Sequence, residues 1–271
     1  MVSVGCFLMA SFSECCRGSP AEIHQLEYLN LRPFMFRSLN PWVRLSAYMN
    51  RMLIGFAVLS IGAVSVGASI VKKQTFSDSH RRSRQVILYY TLSRIDNPII
   101  VLGDSIVEAS TLPRELCGHP IVNAGLDGAS TASDLGNWLV DVLDGKSASA
   151  IVVALGTNDV LAARDLPQFK ANYRTLLSQL SKAAARVIVL AVPPIDASPR
   201  LAVDAQDKAM RLIDSYNSAL PELTVRGGAT FAALPPMPTP HTIDGVHLSV
   251  AGYDLWNQAV LQGASVLCGT K

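Results

Sequence analysis

Charge is scarce in this chain. Asp, Glu, Lys and Arg make up 16% of its 271 residues, and 23 basic against 21 acidic side chains leave a formal net charge of +2. No Lys/Arg tract forms the basic stripe that nucleic acid requires, so no nucleic-acid partner is expected. Internal repeats and low-complexity tracts are also missing, which excludes repeat arrays. Histidine is rare, five in all, and only His80, His119, His241 and His247 follow residue 72. Imidazole chemistry in that part of the chain therefore rests on one of four side chains.

Apolar residues, by contrast, are plentiful: 49% of the sequence, with a mean hydropathy of +0.29. Much of this comes from residues 52–71, MLIGFAVLSIGAVSVGASIV, which carry no charge. Arg51 precedes the run and Lys72-Lys73 follow it. As a helix it would be about 30 Å long, the thickness of a bilayer core. A buried core helix rarely avoids polar groups on every face for so long, and a cleaved secretory segment has a shorter apolar region. Residues 52–71 are therefore read as a transmembrane signal-anchor, through which the protein meets the membrane. Basic residues lie on both sides, Arg32, Arg37, Arg44 and Arg51 against Lys72, Lys73, Arg81, Arg82 and Arg84. The positive-inside rule does not orient it. Residues 1–51 form an N-terminal tail, either disordered or untranslated if the start is Met49 or Met52. Residues 72–96 form a stalk and a first helix.

From Pro98 onward short apolar runs alternate with amphipathic segments. Ile99–Leu102, Ile121-Val122, Ile151–Leu155, Val187–Val192 and Thr230–Ala232 read as strands. Helices are expected over 131–143, from Pro167 to about Ala184, over 204–220 and over 249–267. Short continuous apolar strands between helices indicate an α/β fold with a parallel sheet covered on both faces. Ligands collect at the carboxyl ends of such strands. The turns GDS, NAGLDG and GTND each follow a strand directly, and PTPHTIDGVH, before the last helix, can reach the same rim.

Ser105 has two readings. With Glu108 three residues on, it fits a capping box opening a helix. On a strand-to-helix turn it also stands where several hydrolases hold a nucleophile. A serine attacks only when a base takes its proton, and the base works best when a third group orients it. His80 lies in the stalk and His119 at the opposite end of the sheet. His241 and His247 are in the right loop, and Asp244 precedes His247 by three residues, close enough to hold its ring. The Ser105 and Gly128 N–H groups and the Asn158 amide are candidate donors to an oxyanion. Taken singly, Asn158 reads as a turn residue and Asp-x-x-His as ordinary surface chemistry; their meeting on one rim is what changes the reading.

GDSI (103–106), NAGLDG (123–128), GTND (156–159) and DGVH (244–247) resemble, in order and spacing, the four signature blocks of the SGNH hydrolases, also called the GDSL lipase/esterase family. The resemblance covers about 96–262. It implies a three-layer α/β/α flavodoxin-like SGNH hydrolase domain over 97–271. It also implies Ser105 as nucleophile, His247 as base and then acid, Asp244 as its orienting partner, and Ser105, Gly128 and Asn158 as the oxyanion hole. Ester hydrolysis through an acyl-enzyme, with no metal and no cofactor, follows from it. Two positions depart from the pattern: Ile106 replaces the usual leucine, and Glu108-Ala109-Ser110 stand where a glycine is common. The loops near the site are short and lack a long apolar lid. Small acyl esters are thus the expected substrates, such as O-acetyl groups on a glycan, with an acyltransferase, a lysophospholipase or thioesterase, and an inactive binding protein as alternatives. A tethered catalytic domain suggests the periplasmic or extracytoplasmic side. Cys117 and Cys268 fall at the far end of the fold from the site. They are read first as free thiols and second as a disulfide. The oligomeric state is left open.

Overall fold

The computed structural model describes residues 78–198 and 203–269. The expected tail and the apolar run 52–71 lie outside them. Among the described residues no helix is long and apolar enough to cross a membrane.

The elements in chain order are α1 (78–92), β1 (Ile99–Gly103), α2 (Ser105–Glu108), β2 (Glu115–Leu116), β3 (His119–Gly125), α3 (Leu135–Leu143), β4 (Ala150–Ala154), α4 (Thr157–Leu161), α5 (Leu166–Leu180), β5 (Val187–Leu190), α6 (Val203–Arg226), β6 (Thr230–Ala232) and α7 (Val250–Ala264). The sheet order is β2-β3-β1-β4-β5-β6, all parallel except the short β2, which pairs antiparallel with β3. Taken alone, the five parallel strands have the doubly wound order of flavodoxin. Winding reverses at β1, so a crevice opens beyond the carboxyl ends of β1 and β4. Ser105 and Asn158 stand just past those two ends.

β1 is buried at every position because both its faces are covered. Ile100 and Leu102, with Ile151 and Val153 of β4, face Leu88 of α1, Leu139 of α3, Tyr173 of α5 and Tyr216 of α6. Ile99 and Val101, with Val152, face Ile106 and Val107 of α2 and Trp256 and Val260 of α7. The period-two alternation of a strand thus divides one apolar run between two cores. The Phe169 and Tyr216 rings stack at 3.8 Å between α5 and α6. Asp165 caps α5, its carboxylate accepting the Gln168 N–H at 2.8 Å, and Ser249 caps α7.

Several local expectations change. The helix after the stalk belongs to the core, since Leu88 and Leu92 are buried in it. Lys146 Nζ donates to the carbonyls of Leu92 and Ser93 at its carboxyl end, at 3.1 and 2.9 Å. α6 runs past Pro221 to Arg226 because Leu223 and Thr224 continue its buried face. β3 is much longer than Ile121-Val122, for its backbone pairs with β1 through Gly103↔Gly125. The cysteine pair also departs from its first reading as free thiols: Cys117 and Cys268 are joined as a disulfide, with Cα atoms 5.3 Å apart. Cys117 and Gly118 both have positive φ, 53° and 82°, as a two-residue turn between β2 and β3 demands. That turn lies at the amino end of β3, where the chain leaving α7 also arrives.

Candidate active site

Ser105 is the first residue of α2, placed where β1 ends against its neighbours. The capping-box reading does not hold. Asp104 is the N-cap, and its Oδ1 accepts the Ile106 N–H at 3.0 Å. Glu108 turns away from the helix start, and its Oε2 accepts the Asp127 N–H at 2.6 Å. The Ser105 hydroxyl is thereby left for other work, and it donates to His247 Nε2 at 3.1 Å. His247 Nδ1 donates to Asp244 Oδ2 at 2.8 Å, while Asp244 Oδ1 accepts the Val246 and His247 N–H groups at 3.0 and 2.8 Å. These contacts fix the tautomer: Nδ1 carries the proton and Nε2 is the acceptor facing serine. Burial works against charge on Asp244, but the hydrogen bonds from the His247 ring and from the backbone outweigh it and hold the carboxyl down at about 2. It is a carboxylate throughout the neutral range.

The three expected oxyanion donors each follow the carboxyl end of a strand, β1, β3 or β4. Ser105 opens a helix, so its N–H has no carbonyl in a preceding turn to bond. Gly128, with φ of 73°, lies in the turn after β3, where Leu126 N–H bonds the Gly103 carbonyl at 3.0 Å. Asn158 Nδ2 donates to the Ala129 carbonyl at 2.8 Å, which ties the end of β4 to the Gly128 turn and leaves a second amide hydrogen.

Much of what holds these groups was not singled out from the sequence. Asp159 is fully buried and accepts the Thr131 N–H at 2.9 Å and the Thr131 hydroxyl at 2.6 Å, with Arg164 paired to it. From α1, Arg84 donates to the Gly125 and Asn123 carbonyls, each at 3.0 Å, and His80 lies 3.0 Å from the Glu108 carboxylate. Glu108 thus answers the missing glycine: it braces the 126–128 turn. Gly125 has no room for a side chain, because a Cβ there would meet the Glu108 backbone N. Of the other histidines, His119 bonds the Asn97 carbonyl at 3.0 Å at the far end of the sheet. His241 is 2% exposed, and its Nε2 is bonded to the Pro194 carbonyl at 3.0 Å, so it is not available to Ser105. Among the described residues no group of His, Cys, Asp and Glu gathers as metal ligands would.

Asp104 carries a pH signature of its own. It is 2% exposed, and burial pushes its carboxyl from 3.8 up to about 7. The folded chain therefore binds one proton more than the unfolded chain between those two values, and this group's contribution to stability falls as pH rises from about 4 to 7. Asp104→Asn keeps an oxygen for the Ile106 N–H and removes the titration. In urea unfolding, the variant should gain on wild type with rising pH, by a few kcal/mol in all, and level off above neutrality. A constant difference between pH 5 and 9 would refute this.

The rim is open. His247 and Asp244 side chains are 41% and 32% exposed. The model of the GDSL-like Lipase/Acylhydrolase family matches residues 101–255. Solved structures give the same fold. A putative platelet activating factor from Streptococcus pneumonia is 22% identical, with a TM-score of 0.59 over 72% of this chain and 98% of that one. A member of the lipolytic protein G-D-S-L family from Veillonella parvula is 21% identical, with a TM-score of 0.51 over 61% and 96%. Est24, a carbohydrate acetylesterase from Sinorhizobium meliloti, is 19% identical, with a TM-score of 0.50 over 64% and 100%. No curated protein matches in sequence.

Proposed function

Because the chain belongs to the GDSL-like lipase/acylhydrolase family and is an ester hydrolase, we propose that it hydrolyses small carboxylic esters with Ser105 as nucleophile. The observation that carries this reading is the unbroken hydrogen-bond chain Ser105–His247–Asp244, at 3.1 and 2.8 Å. His247 Nε2 takes the serine proton as Oγ bonds to the ester carbonyl carbon. The resulting oxyanion receives hydrogen bonds from Ser105 N–H, Gly128 N–H and the Asn158 amide, each of which lowers the barrier by roughly 3–4 kcal/mol. His247 then protonates the departing alkoxide, leaving an acyl group on Ser105. In the second half His247 takes a proton from water, hydroxide attacks the acyl carbon, and the carboxylic acid leaves as serine regains its proton. Asp244 holds the ring and stabilises the imidazolium in both halves.

An open, unlidded rim favours short acyl groups, and O-acetyl groups on glycans suit it. Est24 is described as a carbohydrate acetylesterase, which agrees with this choice. Residues 52–71 would tether the domain to a membrane, and the Cys117–Cys268 disulfide favours an oxidising, extracytoplasmic side. A series of p-nitrophenyl esters with the full chain in detergent tests the acyl preference. The acetyl ester should have the highest kcat/KM, falling by about tenfold or more at octanoyl; a rise with chain length would overturn the small-acyl reading.

A further inference from the structure

A second Asp–His pair lies beneath the first. Asp196 follows β5 in PPIDAS, and His241 stands three residues before Asp244. Both are buried, 5% and 2% exposed, and His241 Nδ1 is 3.0 Å from Asp196 Oδ1. Asp196 Oδ2 accepts three hydrogen bonds, from His241 N–H at 2.7 Å, Thr242 N–H at 2.8 Å and the Thr242 hydroxyl at 2.8 Å. Burial disfavours its charge, but those donors and His241 prevail and hold its carboxyl below the usual range.

The backbone joins the same two segments. Asp196 N–H donates to the Gly245 carbonyl at 3.0 Å. Gly245 N–H donates to the Thr242 hydroxyl oxygen at 3.1 Å, and His241 Nε2 donates to the Pro194 carbonyl at 3.0 Å. The loop is closed on itself as well, with Ile243 N–H on the His247 carbonyl and Ser249 N–H on the His241 carbonyl, each at 2.8 Å. Asp244 and His247 thus sit in a loop closed on itself and anchored to the segment after β5 by the Asp196 carboxylate, which takes three of the bonds, with the Asp196 N–H and the Pro194 carbonyl making one each. The hydrogen bonds of Asp244 are all internal to that loop, so they cannot fix its position relative to Ser105. Asp196 can.

We propose that Asp196, acting through His241 and Thr242, is a positioning residue that latches the 241–249 loop so that His247 Nε2 meets Ser105. The proposal rests on the reading of Ser105, His247 and Asp244 as the reacting groups. A base displaced by about 1 Å can lose on the order of 100-fold in rate, and the acyl-binding surface is untouched. Steady-state hydrolysis of p-nitrophenyl acetate by the full chain tests it in Asp196→Ala, Asp196→Asn and Thr242→Val, each checked for cooperative melting. The latch predicts that Asp196→Ala lowers kcat by about 100-fold with KM within about twofold of wild type. Asp196→Asn should recover part of the rate, since an amide oxygen keeps two acceptor lone pairs for the His241 and Thr242 donors. Thr242→Val should lower kcat by about tenfold, and it decides the matter if Asp196→Ala does not fold. Wild-type kcat in the folded Ala or Val variant, or a loss confined to KM, overturns the latch. His247→Ala in parallel separates the two readings: if it is inactive while the latch variants are normal, only the latch fails, and if it too is active, the underlying site assignment fails.

Discussion

Ser105→Ala is expected to reduce kcat for p-nitrophenyl acetate by roughly 10⁴–10⁶-fold, and His247→Ala by a similar factor. The two changes together should cost little more than either alone. Their hydroxyl and imidazole are 3.1 Å apart and share one proton, so removing one leaves the other without a partner for the step. Some catalysis should survive, since the Gly128 and Asn158 donors remain in place to receive an oxyanion from attacking water. KM should change little, because neither substitution fills the open rim. Additive losses would mean that serine and histidine act in separate steps, which contradicts the mechanism.

Loss of the disulfide has the second large effect, on stability rather than rate. Cys117 and Cys268 are 151 residues apart in sequence, so their bond ties one end of the catalytic domain to the other. Removing such a closure costs about 2–5 kcal/mol, and for a domain of this size lowers Tm by roughly 4–20 °C. Cys117→Ser/Cys268→Ser should therefore melt earlier yet keep wild-type kcat below its new midpoint, because both residues lie at the end of the sheet opposite Ser105. An unchanged Tm, with both thiols of the wild type alkylated without reductant, would refute the bond and remove its support for an extracytoplasmic site.

The rim was legible in the sequence because its parts are local. A strand end followed by a glycine-bearing polar turn is visible in GDS, NAGLDG and GTND, and Ser105, Gly128 and Asn158 do follow the ends of β1, β3 and β4. Asp244 and His247 were legible for the same reason: three residues separate them, and their contact at 2.8 Å is made within one loop. What escaped was held by long-range pairing. Asp196 and His241 are 45 residues apart, and Arg84 reaches 41 residues to the Gly125 carbonyl. No spacing rule signals such pairs. Glu108 misled because Ser-x-x-Glu has the capping-box form, whereas Asp104 satisfied the Ile106 N–H and freed the glutamate for Asp127. His241 shares the loop with His247; the sequence preferred His247 because Asp244 precedes it by three residues, and burial of His241 sets the two apart. The first helix, α1, was placed with the stalk and outside the hydrolase domain because its polar start conceals Leu88 and Leu92, which pack on the sheet.

The central claim, that Ser105 carries the acyl group, is tested most directly by rapid acid quench of the enzyme mixed with p-nitrophenyl acetate, followed by peptide mapping by mass spectrometry. The mechanism predicts an acetyl adduct on the peptide containing Ser105, formed within the first turnover and absent from Ser105→Ala. An adduct on another residue, or a first-turnover burst of p-nitrophenol with no acetyl group on the Ser105 peptide, would contradict it.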